Sequence, residues 1–275
     1  MDWPKVKTVL IIVLVAVNAF LFAAYTNAAL RMSKSQEQVR YEVCRVLGDL
    51  GYELNPALLP EDSELYHPAR ISRNTKSERS AIASALGNVK VENAIGVSRY
   101  SGENGEIVLR SGGYIEASLM FGAELADAQS IANAAEAKLR SMKINVLSLY
   151  QKEDGSGTVS GICSSGGLPI FNCRVECSAV GKKMELSGRI PMGEISHLQN
   201  ITPYSISGLM LNFAEYLQSV AVEGGRIEEI VPGYIMSSPT EYESGVTELS
   251  PVWRVLLHGE YWYINALNGK VVALE

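Results

Sequence analysis

The hydrophobic pattern opens with an uncharged run from Thr8 to Leu30. Val9 to Val15 is wholly aliphatic, and Asn18, Thr26 and Asn27 are the main polar positions. These 23 residues, at a helical rise of ~1.5 Å each, would reach about 35 Å, enough to cross ~30 Å of hydrocarbon with some tilt. Lipid offers the backbone no outside partner, so a single crossing segment has to be helical. The pattern therefore predicts a transmembrane helix over 8–30. A cleaved signal peptide is the alternative, with Ala23-Ala24 and Ala28-Ala29 as small residues. Its apolar core would be only ~7–15 residues long, and this run is longer. A buried helix of a soluble core would show a polar face, and Val9 to Val17 has none. Lys5 and Lys7 precede the run and favour an inside amino terminus, an asymmetry that Arg31, Lys34 and Arg40 blunt. Residues 31–275 are accordingly expected outside the cell membrane.

Beyond the run the pattern alternates between helix and strand periods. Val39, Val43, Val46, Leu47 and Leu50 step by three and four, predicting a helix over 35–50 that stops at Gly51. Residues 52–76, with Pro56, Pro60 and Pro68, suggest an irregular loop. Thr75 and Glu78 have capping-box spacing and open a short helix to Leu86. Period-two stretches at 94–100, 106–110 and 114–121 then predict three strands joined by glycine turns. The order recurs with Leu125, Ala128, Ala132, Ala135, Leu139 and Met142 on one helix face, followed by strands at 144–151, 158–163, 170–179 and 183–190. A third round opens at Thr202-Pro203, expected as N-cap and first helical residue. Ile206, Leu209, Met210, Phe213, Leu217 and Val220 line its core face, and strands follow at 226–236, 252–258, 261–265 and 270–274. Helix followed by antiparallel meander is an α+β pattern, because parallel βαβ units would alternate one strand with one helix. The expected organisation is a span over 8–30, a membrane-proximal α+β domain over 31–122 and a distal one over 123–275. The distal domain divides into helix-plus-meander units at 123–195 and 201–275.

Charge and cysteine content narrow the partners. The net charge is −6, and beyond residue 30 there are 22 basic against 29 acidic residues. That mild acidity argues against nucleic-acid binding, which leaves a basic footprint. Cys44, Cys163, Cys173 and Cys177 are the four cysteines. Cys173 and Cys177 fall four apart on one strand, ~13 Å at strand rise and too far to bridge. Cys163 lies across a turn from Cys173, the one plausible local bridge; free, buried thiols are the other outcome. No C-x-x-C occurs and no histidine stands near the cysteines, so no metal site is expected.

Candidate chemistry is sparse. The chain has no G-x-S-x-G, H-E-x-x-H or P-loop. His67, His197 and His258 are far apart in sequence, and the acids Glu61, Asp62, Glu64, Glu228 and Glu229 lack a ligand or catalytic spacing. No catalytic, cofactor or metal residue is assigned. Asn18, an amide at mid-span with small neighbours, is a candidate for contact with another membrane helix. Trp253, Tyr261 and Tyr263 form a late aromatic stretch, either a buried sheet face or an aromatic binding surface.

Two end motifs carry a family resemblance. The leader Met1-Asp-Trp-Pro-Lys-Val-Lys-Thr8 running into a span resembles the start of YycI proteins. The closing Pro-x-Trp-Arg-Val from Pro251, Tyr-Ile-Asn-Ala from Tyr263 and Asn-Gly-Lys-Val from Asn268 are similar to YycI, the related YycH and PepSY-like modules. The resemblance implies PepSY-like units behind a single span. It also implies a non-enzymatic regulator that acts with a YycH-like partner on the WalK (YycG) sensor histidine kinase, partly through membrane helices, in cell-wall homeostasis. A PepSY-like peptide- or protease-binding module on the cell surface is the alternative. A surface hydrolase would need an acid–base site assembled from distant residues.

Overall fold

A computed structural model describes residues 37–60, 66–152, 157–237 and 246–274, together with Leu14, Val17, Asn18 and Phe22. Those four are helical and exposed. The rest of the expected span lies outside the described residues, among which no helix is long and apolar enough to cross a membrane.

The chain is a mixed α+β structure with four helices and a largely antiparallel sheet among the described residues. Helix α1 (37–49) leads through β1 (Tyr52–Leu54) and a 3-10 turn to β2 (Ala69–Ser72) and α2 (Thr75–Leu86). Strands β3 (Lys90–Ala94), β4 (Val97–Gly102), β5 (Gly105–Arg110) and β6 (Tyr114–Met120) follow. Helix α3 (Ala128–Ser141) precedes β7 (Val146–Gln151), β8 (Val159–Ser165), β9 (Leu168–Val180), β10 (Lys183–Arg189) and β11 (Glu194–His197). Helix α4 (Ile206–Ser219) precedes β12 (Gly225–Met236), β13 (Val246–Leu257), β14 (Glu260–Asn265) and β15 (Val271–Val272).

The main strand path runs β11-β2-β13-β12-β9-β10-β6-β5-β4-β3. It has a seam, because β12 meets β9 at one parallel pair, Tyr234 with Ile170. Asn172 reinforces the seam: its amide donates to the Met236 carbonyl and its oxygen accepts from the Met236 N–H, both at 2.8 Å. The side chain thus stands in for a missing ladder step.

Each half has its own core. On the β9–β10–β6–β5–β4 side, Ile82, Ala85 and Leu86 of α2 and Ala132, Ala135 and Leu139 of α3 pack on Ile107, Leu119, Cys173, Val175 and Leu186. On the β12–β13–β14 side, Val43 and Leu47 of α1 and Leu209, Phe213 and Leu217 of α4 pack on Trp253, Val255, Leu257 and Ile264. These cores cut across the expected partition at residue 122. Residues 43–59 share a core with 206–266 because β1 pairs in parallel with β12, bringing α1 beside α4.

Several local expectations are corrected. The stretch expected as loop at 52–76 contains β1 and β2. Tyr52 and Leu54 are buried around the exposed Glu53, and Ala69 and Ile71 around the exposed Arg70, a period-two pattern too short to stand out. The meander expected to start at 94 has a further strand, β3, because the chain turns at Ile95-Gly96, with Gly96 at φ 71°. Thr75 does not cap α2. Asn74 does, accepting from the N–H groups of Lys76 and Ser77. Helix α4 starts at Ile206 behind Ser205 rather than at Pro203.

Candidate functional site

The site begins with the cap of α2. With Asn74 holding the first turn, Glu78 is released from capping and turns toward Arg73 on the approach to the helix. Arg73 Nε and Nη2 donate to the two Glu78 carboxylate oxygens at 2.7 and 2.9 Å, a fork-on-fork pair. Tyr100 of β4 donates its hydroxyl to Glu78 Oε1, and Arg73 Nη2 also reaches Ser98 Oγ at 3.1 Å. Burial, then the Glu78 carboxylate, pushes the Tyr100 phenol up to about 12. The hydrogen bond to Glu78 raises the Arg73 guanidinium further, so it stays charged.

Glu78 carries this network to the border of a cleft of about 170 Å³ between α2, β5, β6 and the segment 190–194 that carries the chain from β10 to β11. Ile82, Ile107, Leu109, Ile115, Met142 and Met192 supply its apolar lining, while Lys143 and Glu194 are exposed on its border. Lys143 sits in the left-handed region at φ 63°, where α3 ends. Its N–H goes to the Arg140 carbonyl and that of Ile144 to the Leu139 carbonyl, the two bonds of a Schellman cap. An apolar cavity of ~150 Å³ holds a benzene-sized group, so this cleft has room for one aromatic or branched apolar side chain. Glu78 already accepts from three donors and is a fixed wall rather than a free base.

The expected site residues are dispersed. Trp253 is buried against the α4 core with Tyr66 at 6.4 Å between ring centroids. Tyr263 is buried on the opposite sheet face, 5.3 Å from Phe171, because Trp253 registers with Ile264 and Arg254 with Tyr263. Tyr261 is half exposed and lies under the Arg254 guanidinium at 4.5 Å. The strand pleat therefore separates Trp253 from the two tyrosines. Asn18 is helical and exposed. His67 Nδ1 lies 3.0 Å from the Ile201 carbonyl oxygen and His258 Nε2 3.2 Å from that of Glu223, while His197 is exposed on β11. Glu229 pairs with Arg254 at 2.5 Å, Glu228 is exposed, and Glu61, Asp62 and Glu64 lie outside the described residues. Among the described residues, no three His, Cys, Asp or Glu side chains come together as metal ligands. All four cysteines are free. Burial raises the thiols of Cys163, Cys173 and Cys177, the last two to about 12, so they remain protonated and unreactive at neutral pH.

Sequence reasoning missed the cleft and the network beside it. Arg73, Glu78 and Tyr100 are 5 and 22 positions from one another along the chain, and only the fold joins them. The local signal was the Asn74 immediately before Thr75, a stronger cap than threonine.

Fold and cleft together define an α+β protein with helices laid on a divided, mostly antiparallel sheet. No protein-family model matches the chain, and no curated protein matches it. Among solved structures, one similar chain is an uncharacterized protein from Eubacterium rectale, 12% identical, with a TM-score of 0.43. The match covers 82% of this chain and 90% of that one.

Proposed function

We propose that this chain is a membrane-tethered, extracytoplasmic regulatory protein that works by touching other proteins. Its partners would be a sensor histidine kinase of a two-component system and a YycH-like protein, and its repeated helix-plus-meander units are PepSY-like. The apolar run over 8–30 would be the tether and one of the contact elements. One observation carries the reading. Residue 37 stands seven positions beyond the run, and from there α1 is built into the second core, with Val43 and Leu47 buried. A shift of the tether would thus have only a short path to the folded body. Leu14 and Val17 support the same reading, being helical with exposed apolar side chains that call for lipid or another helix.

The test is cellular. Deleting the gene should change the output of the cognate kinase, and the intact gene should restore it. A short glycine segment inserted after Lys34 should fail to restore it at an equal membrane level. Asn18→Leu should weaken association in a membrane two-hybrid assay. Unchanged kinase output on deletion would remove the proposal.

The cleft favours a second reading, a PepSY-like peptide-binding or protease-inhibiting module. It opens beside β11, which pairs only with β2 among the described strands and so presents a free edge next to a socket for one apolar side chain. Ala81→Trp would fill the cleft. Loss of a bound peptidase in that variant, with kinase output intact, would favour this reading over the first.

A further inference from the structure

The opposite side of the seam carries a feature that the regulatory reading does not use. A groove of about 450 Å³ lies across β6, β10 and β9, lined by Tyr114, Glu116, Phe171, Arg174, Ser187, Arg189 and others, with Leu274 at its end. Arg189 is only 7% exposed, yet its hydrogen bonds go to main-chain carbonyls, Nε to Gly112 at 2.9 Å and Nη2 to Ser237 at 3.0 Å. Its guanidinium lies 5.6 Å from the Tyr114 ring centre. Among the described residues no carboxylate comes within ion-pair distance of it. Among the described residues this buried cation faces only neutral dipoles, an arrangement that costs stability unless an anion completes it.

A second cation stands beside it. Gly188 pairs with Val175, so the next positions along β10 and β9, Arg189 and Arg174, face each other on the same side of the sheet. Gly188 permits this approach: it has φ 146°, and a Cβ there would lie 2.1 Å from the Arg174 carbonyl oxygen. Arg174 is exposed and has no carboxylate partner among the described residues. The groove's one acid, Glu116, is already held by Arg110 at 3.2 Å. A chain of net charge −6 thus presents here a concave surface of positive sign, lined by the exposed Tyr114 and the buried Phe171.

We propose that this groove binds an oxyanion, a carboxylate or a phosphate, attached to an apolar group. The oxyanion would take the guanidinium forks of Arg174 and Arg189, and the apolar part would lie between Tyr114 and Phe171. The site is independent of the tether and of the cleft, so its failure would leave the regulatory reading untouched.

The test is calorimetric titration of the full chain in neutral detergent, with phenyl phosphate and N-acetylphenylalanine as the two oxyanion probes. The neutral amide of N-acetylphenylalanine is the control. At least one acid should bind, the amide should not, and the stronger acid identifies the oxyanion class. Affinity should fall as salt rises. Arg174→Gln, at an exposed position, should keep the fold and weaken binding about tenfold or more. Arg189→Lys should weaken it too by removing the fork while keeping the charge. Equal binding of acid and amide, no binding by either acid, or wild-type affinity in Arg174→Gln would overturn the proposal.

Discussion

The two cores are made of different materials. Around α4 the contacts are large and apolar. Phe213 and Tyr216 pack on Trp262 with ring centroids 6.1 and 6.3 Å apart, and Leu209, Met210 and Leu217 are wholly buried. Around α2 and α3 the helices approach on alanines. Ala85, Ala132 and Ala135 are buried, Lys138 Nζ donates to the Ala85 carbonyl at 2.7 Å, and Ser84 Oγ donates to that of Ser141 at 2.7 Å. Large side chains fill space and specify little else. Small ones let two helices come close and leave the room beside them to a polar network and a cleft. The half that gives up packing volume is the half with a binding-sized cavity.

The strongest way to break this contrast is to make the α4 side resemble the other. Phe213→Ala should cost about 3–5 kcal/mol, the sum of lost transfer energy and an unfilled cavity. Denaturant unfolding of the full chain in detergent measures it. A loss below about 1 kcal/mol would mean that the α4 core collapses easily and that the contrast is false.

On the other side the network should matter most. Glu78→Leu strands the Arg73 guanidinium and the Tyr100 hydroxyl together, and the expected loss is about 2–3 kcal/mol. Arg73 keeps roughly a quarter of its side-chain surface in water, which holds the cost below that of a fully buried pair. The same network gives an alkaline signature. The folded-state phenol of Tyr100 sits at about 12 against an ordinary 10, so its contribution is complete below pH 10 and is lost as pH rises toward 12. Cys173 and Cys177, pushed from 9 to about 12, act in the same direction from pH 9 upward. Stability should therefore fall across pH 9–12, and Tyr100→Phe should flatten the part above pH 10. An unchanged slope in that variant would place the loss on the thiols and on Tyr52, Tyr234 and Tyr263, whose phenols burial also raises.

Ala135→Leu sharpens the comparison from the side of excess volume. Where alanines set the helix separation, added methylenes have nowhere to go, and about 1–3 kcal/mol should be lost. The same variant should also move the α2 wall and alter the cleft. A neutral result would show spare room between α2 and α3.

Much of this architecture was legible in the pattern of residues. The helices at α1, α3 and α4 follow from runs of apolar side chains three and four apart, and the meanders from glycine turns such as Gly166-Gly167 between β8 and β9. What escaped was non-local. Strands β2 and β11 are short and mutually paired, so their identity as strands rests on neighbours from distant parts of the chain. The joint core of α1 with α4 depends on a parallel pairing of β1 with β12, which no local pattern encodes. The candidate sites suffered similarly. Trp253 and Tyr263 share an odd-numbered sequence parity but lie on different strands, where register rather than parity decides the face. Arg189 carries no local signal, because the carbonyls that hold it, Gly112 and Ser237, lie far from it in sequence.

The smallest effect tests where α2 begins. Thr75 and Glu78 have the spacing of a capping box, and if that box formed, Glu78 would be turned back to the Thr75 N–H rather than toward Arg73. The structure puts Asn74 at the cap, with Oδ1 3.2 Å from the nitrogens of both Lys76 and Ser77. Asn74→Ala should then cost about 1 kcal/mol, and Thr75→Ala well under half of that, since a first-turn threonine contributes only its propensity. The reverse order would mean that the box forms and that Glu78 is turned away from Arg73. Because Asn74 also borders the cleft, its loss should loosen that wall as well as the helix end, so a double substitution with Glu78 should cost less than the sum of the two singles.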